Sequence, residues 1–168
     1  MSIRAAILTV SDSVVAGTRE DASGPALADY AQQNGWTIAS TKVVSDDIDQ
    51  ISPEVAAWAD SGTVDVILCT GGTGVAPRDV TPEAVRSVAP REVPGFGEVM
   101  RAEGRKSAKF AALSRSGAFT RGRALVLTLP GSPRGALESL QAVADLIPHA
   151  VNLLHGKTAH ERETREVG

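Results

Sequence analysis

The chain opens with an apolar run, Ile3 to Val10, that stops at Ser11-Asp12-Ser13. A short run of that kind with a polar stop reads as a buried strand. Behind Gly24-Pro25, the residues Leu27, Tyr30 and Ala31 share one helical face, and Asn34-Gly35 closes the helix. Trp36 to Val44 is a second strand, ending at Ser45-Asp46-Asp47. Ile51, Val55 and Trp58 then recur at helical spacing over Asp49 to Asp60. Val64 to Thr70 is the clearest buried strand, and Gly71-Gly72-Thr73-Gly74 follows at once. Thr81-Pro82-Glu83-Ala84 predicts a helix start, with Thr81 as the cap and Pro82 at the first helical position. A second start falls at Pro94-Gly95, with a helix through Glu98 and Arg101. Gly117 to Thr120 and Ala124 to Leu129 pair as a hairpin around Arg121-Gly122. Pro130-Gly131-Ser132-Pro133 ends the last strand, and Ala136 to Leu146 and Pro148 to Leu154 are closing helices.

Strands alternating with helices imply a parallel sheet covered on both faces. The fold class is therefore α/β: a three-layer α/β/α sandwich with a mostly parallel sheet and one antiparallel hairpin strand. The 168 residues fit one domain, expected over residues 1–156, with a charged and mobile tail over residues 157–168. The first apolar run is too short for a membrane span and lacks a signal-peptide pattern. A formal charge of −3 argues against nucleic acid as the main partner. The single cysteine, Cys69, excludes an intrachain disulfide and fits a cytoplasmic location. It lies inside a strand and reads as core, as do Trp36 and Trp58. His149, His155 and His160 have no metal-ligand spacing around them.

Four polar segments directly follow four predicted strands. In an open parallel sheet those strand ends share one edge, where ligands bind. The Thr70 to Ala84 segment, TGGTGVAPRDVTPEA, carries the strongest signal. Its glycines let backbone amides approach an anion, the following helix start favours negative charge, and Arg78 adds a forked cation. It matches neither the P-loop nor Gly-x-Gly-x-x-Gly. Asp46 and Asp79 each follow a strand and suit a magnesium ion, which takes one or two carboxylates with phosphates and waters. Either aspartate alone reads equally well as a helix cap, and Asp12 shares that ambiguity. Pro130 to Pro133 offers amides and the Ser132 hydroxyl, or is a plain turn.

TGGTGVAPRDVTPEA, VPGFGEVMR (Val93 to Arg101), LSR (Leu113 to Arg115) and LVLTLPGSP (Leu125 to Pro133) together resemble the MoaB/Mog family of molybdenum-cofactor biosynthesis proteins. The likeness runs from Ile3 to Gly156 and extends to the G domain of gephyrin. It implies the molybdopterin-binding domain fold, a homotrimer, and Mg²⁺-dependent transfer of AMP from ATP to the terminal phosphate of molybdopterin. The product would pass to a molybdate-inserting partner. A non-catalytic pterin-binding or carrier role is the alternative, because some members lack clear transferase activity. The family's functional aspartates fall on Asp46 and Asp79, which would also hold Mg²⁺, directly or through water. The ATP and phosphate site falls on Ser11, Asp12, Gly71, Gly72, Thr73, Gly74 and Arg78. The pterin-side loops fall on Ser114, Arg115, Pro130, Gly131, Ser132 and Pro133. The chain departs from the pattern at Ser13, where many relatives carry Arg, and in the segment SRSGAFTRG.

Overall fold

A computed structural model describes residues 2–157. The predicted tail lies outside the described residues except for Lys157, whose amide donates to the Asn152 carbonyl (2.9 Å). His160 also lies outside them. In chain order the elements are β1 (Arg4–Val10), α1 (Asp12–Val15), α2 (Ser23–Gln33), β2 (Thr37–Val44), α3 (Ile48–Asp60) and β3 (Val66–Thr70). Then come α4 (Thr81–Val88), β4 (Arg91–Glu92), α5 (Pro94–Arg105) and a 3-10 helix (Lys109–Leu113). The chain continues through β5 (Gly117–Arg121), β6 (Ala124–Leu129), α6 (Pro133–Val143) and α7 (Ile147–Leu154).

The sheet order is β2-β1-β3-β6-β5-β4. β2, β1, β3 and β6 run parallel. β5 is antiparallel to β6, and β4 is antiparallel to β5. The chain steps outward from β1 to β2, then crosses back to the far side of β1 for β3. That reversal puts the topological switch point between β1 and β3.

The central strands β1, β3 and β6 read as nearly continuous apolar runs because helices cover both faces. Ile7, Leu68, Leu125 and Leu127 point to one side, where they pack with Leu27 of α2, Met100 of α5 and Leu140 of α6. Leu8, Ile67, Cys69 and Val126 point to the other, against Ile51 and Val55 of α3 and Val85 of α4. Cys69 is fully buried, and burial pushes its thiol up to about 12. Trp36 and Trp58 pack against opposite faces of the sheet, as their positions imply. The hairpin forms despite the variant SRSGAFTRG segment, with Gly117 opposite Thr128 and Arg121 opposite Ala124.

Three elements escape the polarity pattern. α1 is a four-residue turn made by its cap, with the Val14 amide donating to Ser11 Oγ (3.3 Å). β4 is two exposed residues paired with Thr120 and Phe119 of β5. The 3-10 helix has no fully buried residue to give it a periodic signal. One cap is also misplaced. Val80, not Thr81, occupies the cap position of α4, and it makes no side-chain bond. The Thr81 amide donates to the Gly72 carbonyl (3.1 Å); its hydroxyl is buried without a partner. Among the described residues, no helix is long and apolar enough to cross a membrane.

Candidate functional site

The loops after β1, β2, β3 and β6 converge at one sheet edge and tie to one another. The Ser11 amide donates to the Val44 carbonyl (2.9 Å), and the Gly71 amide to the Leu129 carbonyl (3.0 Å). Thr70 Oγ1 donates to the Pro130 carbonyl (2.7 Å). Two glycines are demanded by this crowding. At Gly71, φ is +104° and a Cβ would sit 2.2 Å from the Val10 carbonyl oxygen. At Gly72, φ is +65° and a Cβ would sit 2.4 Å from Thr81 Oγ1 and 3.0 Å from Asp46 Oδ1. Backbone can approach here only where a side chain is missing.

Neither Asp46 nor Asp79 caps a helix. Asp47 caps α3 by accepting from the Asp49 amide (2.9 Å), and Val80 fills the cap position of α4. Asp46 is instead half of a reciprocal clamp between two loops. The Asp12 amide donates to Asp46 Oδ2 (2.9 Å), and the Asp46 amide donates to Asp12 Oδ1 (3.0 Å). Asp79 Oδ2 accepts from the Ala76 amide (2.9 Å) and so closes the loop that contains it.

Partial burial raises the Asp46 carboxyl above the usual carboxylate range; the charges of Asp12 and Asp79 push the same way, against the Asp12 amide. A raised acid is ionised at a cost to the native state above its folded pKa, and that cost vanishes as pH falls below the unfolded value. Asp46→Asn keeps an acceptor for the Asp12 amide and removes the charge. The variant is expected to melt higher than wild type at neutral pH. The margin should shrink as pH falls toward about 4, the ordinary carboxylate range. Paired melts across that interval check this; a constant margin would refute it.

Two cavities share this edge. The first, of about 510 Å³, is lined by Thr73, Gly74, Met100, Phe110, Leu113 and Ser114, among others. The second, of about 420 Å³, is lined by Ser11, Asp21, Asp46, Gly71 and Pro133, among others. Gly72, Asp79, Gly131 and Ser132 line both and form their common rim. Pro130 faces the first cavity. Ser132 also caps α6, accepting from the Gly135 amide (3.1 Å). Thr73 and Gly74, grouped by sequence with the phosphate side, thus face the first cavity, while Pro133 faces the second.

Asp12, Arg78 and Arg115 line neither cavity. Arg78 is forked onto Asp12 by three contacts of 2.7 to 2.9 Å. That guanidinium holds the Asp12 carboxyl below its usual range. Arg115 is a clasp beneath the glycine loop. Its Nε donates to the Gly74 carbonyl (2.8 Å) and one terminal nitrogen to the Asp79 carbonyl (2.6 Å), while the other pairs with Glu83. Arg115 therefore sets the shape of the loop through these bonds. Ser13, at the departure from the family pattern, pairs with Ser11 through their hydroxyls (3.1 Å).

A family model described as "Probable molybdopterin binding domain" matches residues 6–149. The crystal structure of the molybdopterin biosynthesis enzyme MoaB from Thermus thermophilus superposes with a TM-score of 0.86 at 46% identity, covering 92% of this chain and 98% of that one. The chain belongs to the MoaB/Mog family. The molybdopterin adenylyltransferase of Helicobacter pylori J99 is 36% identical over 157 residues, spanning 92% of this chain and 89% of that protein. The molybdenum cofactor synthesis protein cinnamon of Drosophila melanogaster is 40% identical over 167 residues. The match takes in 97% of this chain but only 27% of the Drosophila protein.

Within the MoaB/Mog frame, several wall residues had no sequence signal of their own. Asp21 accepts from Thr9 Oγ1 (2.8 Å) and from the Gly24 amide (3.0 Å), and it lines the second cavity. Its position three residues before Gly24, at a helix start, was the available clue. Phe110 and Glu138 line the first cavity, beside Leu113 of the LSR motif. Phe110 and Leu113 lie on the unforeseen 3-10 helix, and Glu138 looked like an ordinary solvent-facing helix residue.

Proposed function

We propose that this chain transfers AMP from ATP to the terminal phosphate of molybdopterin and releases pyrophosphate. One observation carries the reading. Two cavities, each large enough for a heterocyclic ligand, meet at a rim made of glycine amides, the Ser132 hydroxyl and the Asp79 carboxylate. A transfer between two bulky substrates needs such a junction. The first cavity, with Met100, Phe110 and Leu113 in its walls, suits the pterin. The second, with Ser11, Asp21 and Asp46, suits the nucleotide. The name of the Helicobacter protein, molybdopterin adenylyltransferase, supports the same reaction class.

The residues fit a magnesium ion brought in with ATP. Asp46 and Asp79 both line the second cavity. Two carboxylates completed by phosphates and waters is the ordinary magnesium arrangement. Bound there, the ion would neutralise phosphate charge. The Gly72 amide, on the shared rim, serves a phosphate oxygen of ATP, and the Thr73 and Gly74 amides, on the first cavity, serve the pterin phosphate. The Arg78–Asp12 pair is exposed, at 66% and 45% of the two side chains, so water and salt reach it and Arg78 can exchange the carboxylate for a phosphate, which its fork fits equally. An ionised oxygen of the pterin phosphate forms a bond to the α-phosphorus of ATP. The bond from that phosphorus to the bridging β-phosphate oxygen breaks, and its electrons leave with pyrophosphate. No covalent nucleophile is required, since placement and electrostatics do most of the work in phosphoryl chemistry.

Assembly as a homotrimer, hand-over to a molybdate-inserting protein and a cytoplasmic location are part of this proposal. They rest on the family relationship, with the reduced, buried Cys69 in keeping with the last. Incubation with molybdopterin and Mg-ATP is expected to release one pyrophosphate per adenylylated pterin. Tight pterin binding with no pyrophosphate would replace the enzyme by a carrier. Light scattering tests the assembly, and a monomer at micromolar concentration would remove the trimer.

A further inference from the structure

We propose that Glu138 selects the pterin by accepting two parallel hydrogen bonds from the 2-amino-4-oxopyrimidine edge of the ring. The inference rests on the reading above, that the first cavity holds the pterin.

Two carboxylates line that cavity, Asp79 and Glu138. Asp79 sits on the shared rim, where the proposed reaction uses its carboxylate at the phosphates. Glu138 lies on α6, six residues beyond the rim residue Ser132. At about 1.5 Å per residue this is roughly 9 Å along the helix axis. A ligand with its phosphate at the rim would therefore direct its far end toward Glu138.

The Glu138 carboxylate is already aimed. Oε1 accepts from Arg134 Nε (2.8 Å) and Oε2 accepts from Ser107 Oγ (3.0 Å). Each oxygen has used one acceptor position and keeps another. The hydrogen bonds from Arg134 and then Ser107 hold the acid below its usual range, so it is ionised at neutral pH. About a third of the side chain is exposed. The pterin edge presents N3–H and an exocyclic N–H side by side in one plane. That is the donor fork a carboxylate accepts in bidentate fashion, as it does from guanidinium. Gly104, Ala108, Ala111 and Gly135 leave the walls low enough for a flat ring. Phe110, 72% exposed at the mouth, offers an aromatic face to stack on. The cation in the cavity, Arg101, is turned to the carbonyls of Ser114 and Ser116 and does not compete for the donors.

Lumazine separates this from simple packing. It has the pterin ring system with a carbonyl in place of the 2-amino group, and so sets an acceptor against the carboxylate. In fluorescence titrations, wild-type protein is expected to bind pterin at least about tenfold more tightly than lumazine. Glu138→Gln should bring the ratio near one, and should raise KM for molybdopterin about tenfold to a hundredfold with kcat unchanged, the range for losing a charged hydrogen bond. Thermal melts of the two proteins should coincide, because the Arg134 pair is an exposed one. Equal binding of the two rings by wild type, or a preference that survives in Glu138→Gln, overturns the role of Glu138. The pyrophosphate assay on the same preparations judges the adenylyl-transfer reading separately.

Discussion

Asp79→Asn is expected to slow adenylyl transfer by roughly 10²–10³-fold, the usual loss for one preorganised electrostatic contact, while pterin binding persists. The substitution is chosen for what it leaves alone. The amide oxygen of asparagine can still accept from the Ala76 amide, so the loop stays closed. The backbone carbonyl of residue 79, which Arg115 grips, is untouched. What disappears is one negative charge at the rim where the two cavities meet. Asp79→Ala should be slower still, since the loop then loses its tie as well. Single-turnover measurement of the adenylylated product, beside a pterin titration, reads both effects. A near-normal rate in Asp79→Asn would remove Asp79 from the reacting centre.

Gly71→Ala should have the largest effect on stability. The methyl would have to occupy space 2.2 Å from the Val10 carbonyl oxygen, on a backbone with φ +104°. The obstacle is the end of a central strand, not a side chain that can swing aside. Conformational strain and steric displacement each cost about 1–3 kcal/mol, so a loss of about 3 kcal/mol or more is expected. For a chain of this size that lowers the melting temperature by roughly 6–12 °C. Gly17→Ala is the control, because it also has positive φ but nothing within 4 Å of its Cβ position. Equal losses in the two variants would show that the crowding against Val10 is unimportant.

The central strands were legible because burial on both faces leaves β1, β3 and β6 nearly all apolar, with Thr9, Thr70 and Thr128 buried near their ends. The locations of Asp46 and Asp79 were legible for a topological reason, since each closely follows a parallel strand. Their freedom from capping duty was not, because an aspartate before a helix looks the same whether it caps or reaches outward. Arg115 shows a different limit. Its bonds to the Gly74 and Asp79 carbonyls span 41 and 36 residues, and no local pattern encodes a contact at that distance. Thr81 was misread for the converse reason. A local rule favours it as a cap, yet the bond from its amide to Gly72 accompanies a side chain turned into the interior.

The two-residue strand β4 has a consequence for self-association. A sheet that ends in unpaired amides and carbonyls is a template for another chain. On this side the final strand is too short to template much, and its residues are Arg91 and Glu92, both charged and exposed. The opposite margin is β2, eight residues long, with β1 as its only strand partner among the described residues. Misassembly by strand addition, as in heat-stressed samples, should therefore begin at β2, and a charge placed at exposed Val43 is the natural guard against it.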